Sequence, residues 1–194
     1  MAPHLKLDWC ATATARYAVE HWHYSRTLPA GKLVTIGAWE DTRFIGCLIF
    51  SRGANRHIGN PYGLSHLEVC ELTRVALREH LTPVSRLISI SIKMLRKQSP
   101  GLRLIVSYAD AEMQGHHGGI YQASNWIYVG LADAGGGGKI IVNDVVVHSR
   151  SVDSQYGRRD FAWLRKHVDP HVRRAETATG KHKYLFVLDE SLRQ

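Results

Sequence analysis

The chain has 194 residues, 44% of them hydrophobic and 22% charged, and carries a net charge of +8 at neutral pH. That length and composition predict one soluble domain, residues 1–194, with a real buried core; no apolar run is long enough to span a membrane, and the first ten residues hold no apolar leader. Cys10, Cys47 and Cys70 are odd in number and widely spaced, which speaks against a disulfide scaffold or a zinc knuckle and fits a reducing cytoplasm. The charge, with a pI near 9.6, is the unusual quantity, and it implies a polyanionic partner, nucleic acid first.

In chain order, residues 12–23 have modest helical character, with Tyr17, Val19 and Trp22 among polar neighbours, and Pro29 with Gly31 ends the segment. Residues 33–39 and 44–50 are β-rich runs joined by a short polar turn, a predicted hairpin. A loop over 51–66 follows, long enough to be functional or mobile. Residues 68–77 read as a strand with Val69, Glu71, Thr73 and Val75 on one face and Cys70, Leu72, Arg74 and Ala76 on the other. Glu71 and Arg74 are therefore expected to point apart. Thr82-Pro83 marks a helix start with Thr82 as N-cap, and Leu87, Ile88, Ile92 and Leu95 recur at helical spacing until Ser99-Pro100-Gly101 stops it.

The segment 104–130 is the most informative. Leu104, Ile105 and Val106 form a run suited to a buried strand, and it gives way to Ser107, Tyr108 and Asp110. His116-His117-Gly118-Gly119, a short segment over 120–125 and an aromatic strand over 126–129 follow. Polar side chains at the carboxyl end of a buried strand, beside a glycine-rich turn, sit where open α/β sheets keep their sites; the plainer reading is an Asp110 that only caps the next helix. Further strands are expected over 145–148 and 183–188. Between them a basic stretch with Arg158, Arg159, Trp163 and Lys166 suits contact with phosphates and unstacked bases, or forms a helix over 159–167 that docks Phe161 and Leu164. The element order predicts an α+β fold, a mixed and mostly antiparallel sheet covered by helices.

Several blocks occur together in fixed order: Trp22-His23-Tyr24-Ser25, Gly37-Ala38-Trp39-Glu40, the run CELTRVAL over 70–77, Ser107-Tyr108-Ala109-Asp110, and His116 with the run GGIYQASNW ending at Trp126 and continuing through Tyr128 to Gly130. In these blocks the chain resembles the bacteriophage Mom family over residues 20–130. The resemblance implies a fold like the GCN5-related N-acetyltransferases and an enzyme that converts the N6 amine of adenine in double-stranded DNA to a carbamoylmethyl derivative. Such an enzyme works in the cytoplasm of an infected or lysogenic bacterial host and protects phage DNA from restriction. Acetyltransferases of that fold hold their cofactor pyrophosphate on a glycine-rich turn after the fourth strand; here the junction is Arg78-Glu79-His80-Leu81-Thr82-Pro83, without glycine. The donor is therefore open between acyl-CoA and an aminoacyl or other activated glycine-like compound.

Chemistry at adenine N6 needs a proton acceptor and flat surfaces for the base. Asp110 is the expected acceptor, with Ser107 and Tyr108 orienting base or donor and Glu71 as the alternative base. By the resemblance, Tyr121 is placed for a general acid, and His23 with Tyr24 closes the pocket from the first helix. Arg52, Arg56, Arg158, Arg159 and Lys166 are candidate DNA contacts. An iron dependence goes with the family; His21 with His23, and His116 with Asp110 and Glu112, are the ligand sets considered, and neither is assigned. Two other functions stay open: N-acetylation of a protein or small amine, and DNA binding without catalysis.

Overall fold

The computed structural model describes residues 3–53, 55–110, 118–132, 139–175 and 180–193. Its elements run β1 (Leu5–Trp9), α1 (Thr12–Trp22), β2 (Leu33–Glu40), β3 (Arg43–Ser51), β4 (Val69–Leu77), α2 (Val84–Gln98), β5 (Leu104–Ala109), α3 (Gly119–Gln122) and β6 (Ile127–Ala132). They continue with β7 (Lys139–Val142), β8 (Val145–His148), α4 (Ser149–Tyr156), α5 (Phe161–His167), β9 (Arg173–Arg174) and β10 (Lys181–Val187). Seven strands form one sheet in the order β1-β2-β3-β4-β5-β10-β6, and β8-β7-β9 form a second, smaller one. Every neighbouring pair in the large sheet is antiparallel except β4 and β5, which run parallel. This is the mixed, mostly antiparallel α+β architecture that the element order predicts.

Helices cover both faces of the large sheet. On one, α1 sets Ala15, Ala18 and Val19 against Cys47, Ile49 and Ala76. On the other, the apolar stripe of α2, Leu87, Ile88, Ile92 and Leu95, packs on Leu48, Phe50 and Leu72. Each of those buried aliphatic side chains stabilises the fold by about 2 kcal/mol, which outweighs the weak local helix signals at both ends of α2. Cys47 and Cys70 are buried core residues, as their apolar surroundings in the sequence imply.

The strand β4 departs from simple alternation. Ser51 pairs with Glu71 and Phe50 with Leu72, but Ile49 pairs with Arg74, so Thr73 is an extra residue on β4. Its side chain is tied in place by a hydrogen bond from Oγ1 to the Ile49 carbonyl, 3.0 Å. A bulge of this kind reverses the facing of everything after it. Glu71 and Arg74, expected on opposite faces, therefore share the face of Ser51 and Ile49, while Leu72 and Val75 both turn toward α2.

Three other expectations change. The strand β5 continues through Ala109, so Ser107 and Tyr108 belong to the strand and not to a turn. The helix α2 starts one residue later than predicted, with Pro83 at the N-cap position and no side-chain cap. The Thr82 amide has another partner, described below. The long loop over 51–66 is partly packed: Ile58 and Leu64 are buried, and the Arg52 guanidinium bonds the carbonyls of His66, Leu67 and Val69.

Candidate active site

The parallel register of β4 and β5 runs only from Val69 with Leu104 to Leu72 with Ser107. Beyond that pair the two strands part, and their carboxyl ends open a cleft. At the point of parting Ser107 is fully buried, with its Oγ 2.8 Å from the Leu72 carbonyl oxygen and 2.8 Å from the Tyr121 hydroxyl. The side chain thus bonds a β4 carbonyl at the last pair of the parallel register. Ser107 has one proton for two neighbours. When it serves the carbonyl, the Tyr121 proton rests on Ser107; when it turns to Tyr121, that phenolic proton is free to face the cleft.

Tyr121 stands on the short α3. Its ring is stacked on Tyr184 at 5.0 Å and tilted against Trp126 at 5.1 Å. Gly118, just before α3, has φ +79°, and a Cβ there would lie 2.4 Å from the Tyr184 ring, so only glycine lets α3 come this close. Burial pushes the Tyr121 hydroxyl up to about 12, against the hydrogen bond from Ser107 that favours its ionised form. It is a proton donor at neutral pH.

The opposite wall comes from the end of α1. His23 is buried, and burial together with the Arg74 charge lowers its imidazole to about 4. The Ser25 amide donates to its Nδ1 at 3.1 Å, so the ring is neutral with its proton on Nε2. Tyr24 packs against the His23 ring at 4.3 Å; burial and the Asp110 carboxylate raise its hydroxyl, with Arg74 acting the other way. Arg74, half-buried, is oriented by bonds from its guanidinium to the Thr73 and Thr27 carbonyls. No carboxylate of the described residues forms an ion pair with it. Glu71 lies near enough to favour its charge. Asp110, with its side chain 12% exposed, closes the rim and is 3.6 Å from Lys181 Nζ.

These groups enclose a cavity of about 520 Å³ lined by Trp22, His23, Tyr24, Arg74, Asp110 and Tyr121 among others. The volume suits a small organic group or a single base. A protonated phenol and a carboxylate meet in it, beside a cation and a row of flat rings, and that set can donate one proton, accept another and hold an anionic group.

The model of the Mom protein family matches residues 4–194. The chain belongs to the Mom protein family. A curated relative, the methylcarbamoylase mom of Escherichia phage Mu, is 28% identical over 130 residues, which is 65% of this chain and 54% of the relative. This Mom chain thus matches about half the length of that relative. A solved structure described as a probable GNAT-family acetyltransferase from Chromobacterium violaceum aligns over 100% of this chain and 85% of its own, with 12% identity and a TM-score of 0.42.

Of the residues singled out in the sequence of this Mom family member, Asp110, Tyr108, Tyr121, His23 and Tyr24 line the cavity together. Ser107 acts on it through Tyr121. Glu71 stands behind the wall, beside Arg74 and close to Gly53. Arg56, Arg158, Arg159 and Lys166 are exposed and distant in sequence from the cleft residues, and Arg52 is engaged with backbone. Arg74 and His80 line the cavity and Lys181 pairs with Asp110 at its rim, and none of the three was expected there from the sequence. Arg74 lies in one of the blocks shared with the family, but the bulge that aims it cannot be read from alternation. His21 and His23 do not converge: His21 is exposed and bonds the Tyr17 carbonyl, and His23 is buried. His116 and Glu112 lie outside the described residues, and among those described no three His, Cys, Asp or Glu side chains cluster as metal ligands.

The junction before α2 answers whether a coenzyme A pyrophosphate fits. The amides of Leu81 and Thr82 both point at the Glu40 carboxylate, with Leu81 N 2.9 Å and Thr82 N 2.6 Å from Oε1. Glu40 is only 4% exposed, at the end of β2. Its carboxyl is held below the usual range: burial opposes the charge, but the bonds from Thr82 and Leu81 outweigh it. The anion position is filled by the chain itself, so these residues do not fit a pyrophosphate.

Proposed function

We propose that the cleft between β4 and β5 modifies adenine of double-stranded DNA at N6, forming the carbamoylmethyl derivative that shields phage DNA from host restriction endonucleases in the bacterial cytoplasm. One observation carries the reading: a buried, protonated phenol, Tyr121, and a carboxylate, Asp110, line one base-sized cavity at the carboxyl ends of the parallel strands. Kinship with the phage Mu methylcarbamoylase supports the kind of group transferred.

Adenine N6 is a weak nucleophile because its lone pair is delocalised into the ring, and in a duplex the base is stacked and paired. The base leaves the stack and lies against the flat side chains Trp22, His23 and Tyr24. Asp110 takes a proton from N6 as N6 bonds to the methylene carbon of the donor. The bond from that carbon to its leaving group breaks, the electron pair stays with the leaving group, and Tyr121 protonates it. Ser107 then turns its own proton to the Tyr121 oxygen and stabilises the phenolate. Arg74 holds the carbonyl oxygen of the donor, an activated glycine-like compound that carries its leaving group on the methylene carbon; an aminoacyl ester reacting at its carbonyl would give the isomeric N6-glycyl product instead. Arg56, Arg158, Arg159 and Lys166 are available on the surface for phosphates.

Acetylation of a protein or small amine is the weaker alternative, because Glu40 fills the amides that a pyrophosphate would need. A role in DNA binding alone leaves the buried Ser107–Tyr121 pair and Asp110 without use. Mass spectrometry of nucleosides from plasmid DNA, after expression of this chain in bacteria, tests the reading. An adenine with a carbamoylmethyl-sized addition supports it, and unmodified adenine in the presence of folded, DNA-bound protein overturns it.

A further inference from the structure

Residues 139–175 form a unit of their own. The small sheet β8-β7-β9 and the helices α4 and α5 bury a separate apolar cluster of Ile140, Val142, Val152, Leu164 and Val172. The hairpin β7–β8 turns on Asn143 and Asp144, both with positive φ, as a two-residue turn of this hand requires. The chain leaves the large sheet after Ala132 and returns at Lys181, and these two residues are register partners at the ends of β6 and β10. Lys181 is also the residue paired with Asp110. The unit is therefore inserted at the rim of the cleft. Six residue steps separate Ala175 from Lys181, so Ala175, just after the last strand, stays within about 20 Å of that rim.

The net charge of the unit is positive. Eight of its residues are lysine or arginine and four are aspartate, which leaves +4, half of the chain's +8. Two of the aspartates serve the backbone: Asp160 accepts the Trp163 amide at the head of α5, and Asp169 accepts the amides of Asn143 and His171. No described carboxylate forms an ion pair with Arg158, Arg159, Arg165 or Lys166. Aromatic faces steady several of the cations: Arg158 lies 5.8 Å over Trp163, and Arg165 and Arg174 each 5.9 Å over Phe161. A guanidinium resting on a ring loses less freedom when it grips a phosphate, and its N–H donors remain available.

We infer that the inserted unit 139–175 is a clamp for the sugar-phosphate backbone of duplex DNA, fixed at the rim so that the duplex it holds presents its adenine to the cleft. The inference rests on the DNA reading above and adds the element that engages the duplex. A tether of about 20 Å corresponds to about six base pairs at 3.4 Å each, so the end of the unit at Ala175 stays within that distance of the rim.

The test uses the full chain and a variant with Arg158→Ala, Arg159→Ala and Lys166→Ala, all exposed positions. Binding to one sequence as duplex DNA, single-stranded DNA and RNA is measured over a range of salt, alongside adenine modification of plasmid DNA. The expected result is a preference for duplex, a loss of at least tenfold in duplex affinity for the variant, and a salt slope shallower by about 2 to 3, since each phosphate contact contributes about 0.9. Arg158→Lys with Arg159→Lys keeps the charge and should retain most of the affinity, which separates lost contacts from lost folding. A variant that binds duplex with wild-type affinity and slope overturns the inference, as does a wild type that prefers RNA. Failure of the catalytic reading is distinct: the wild type then binds duplex through the unit but leaves adenine unchanged.

Discussion

Tyr121 meets Ser107 hydroxyl to hydroxyl, 2.8 Å apart, at the point where β4 and β5 separate. The pair couples the Leu72 carbonyl, inside β4, to a phenol that lines the cleft. Tyr121→Phe removes the proton donor but leaves Ser107 bonded to the Leu72 carbonyl, so the variant should fold while its modification rate falls by about 10²-fold or more. Ser107→Ala leaves two buried polar groups without their partner and should cost about 1 to 3 kcal/mol of stability. Denaturant unfolding next to a modification assay separates the two. Equal loss of stability in both variants would remove the distinction between donor and support.

His23 gives a pH signature. The unfolded chain takes up a proton on this imidazole near pH 6.5, while the folded chain resists until about 4. The contribution of His23 to stability is therefore whole above pH 6.5 and is lost as pH falls from there to about 4. Thermal unfolding of wild type across that window should show a decline that His23→Asn lacks in part. Parallel curves would mean that His23 titrates alike in both states.

The Glu40 carboxylate makes a prediction about the donor. Calorimetry of the intact chain with coenzyme A should show no binding, because the Leu81 and Thr82 amides are already taken. Glu40→Gln keeps one acceptor oxygen and loses the charge, and should lower the melting temperature measurably. Competitive, micromolar coenzyme A binding by the wild type would contradict the assignment of Glu40.

Arg74 and Glu71 should separate by function. Arg74 lines the cavity and Glu71 does not. Arg74→Gln is expected to reduce modification at least tenfold with the fold retained, and Arg74→Lys to restore it only in part, since an ammonium lacks the forked geometry. Glu71→Gln should be milder than Asp110→Asn. The reverse order would make Glu71 the base.

Much of this was legible in the sequence because its signals were long-range in chemistry but local in pattern. The periodicity of α2, the hairpin β2–β3 and the apolar run of β5 each declared themselves through burial, and polar residues at the end of β5 pointed to the cleft. Arg74 was hidden because the Thr73 bulge reverses the facing of β4, and a one-residue insertion leaves alternation looking intact on either side. The capture of the Leu81 and Thr82 amides by Glu40 joins residues 41 or more positions apart, and no local signal reports it. Short edge elements such as β9 carry too few residues for any period, and β1 mixes charge with its apolar positions.

The most direct test of the account is nucleoside mass spectrometry on plasmid DNA from cells that express the wild type or Asp110→Asn at matched levels of folded protein. The account predicts carbamoylmethyl-sized adenine adducts with the wild type and their loss with Asp110→Asn, while DNA affinity stays within about twofold by the same phosphate contacts. Wild-type levels of adduct in the Asp110→Asn cells would take Asp110, and with it this cleft mechanism, out of the reaction.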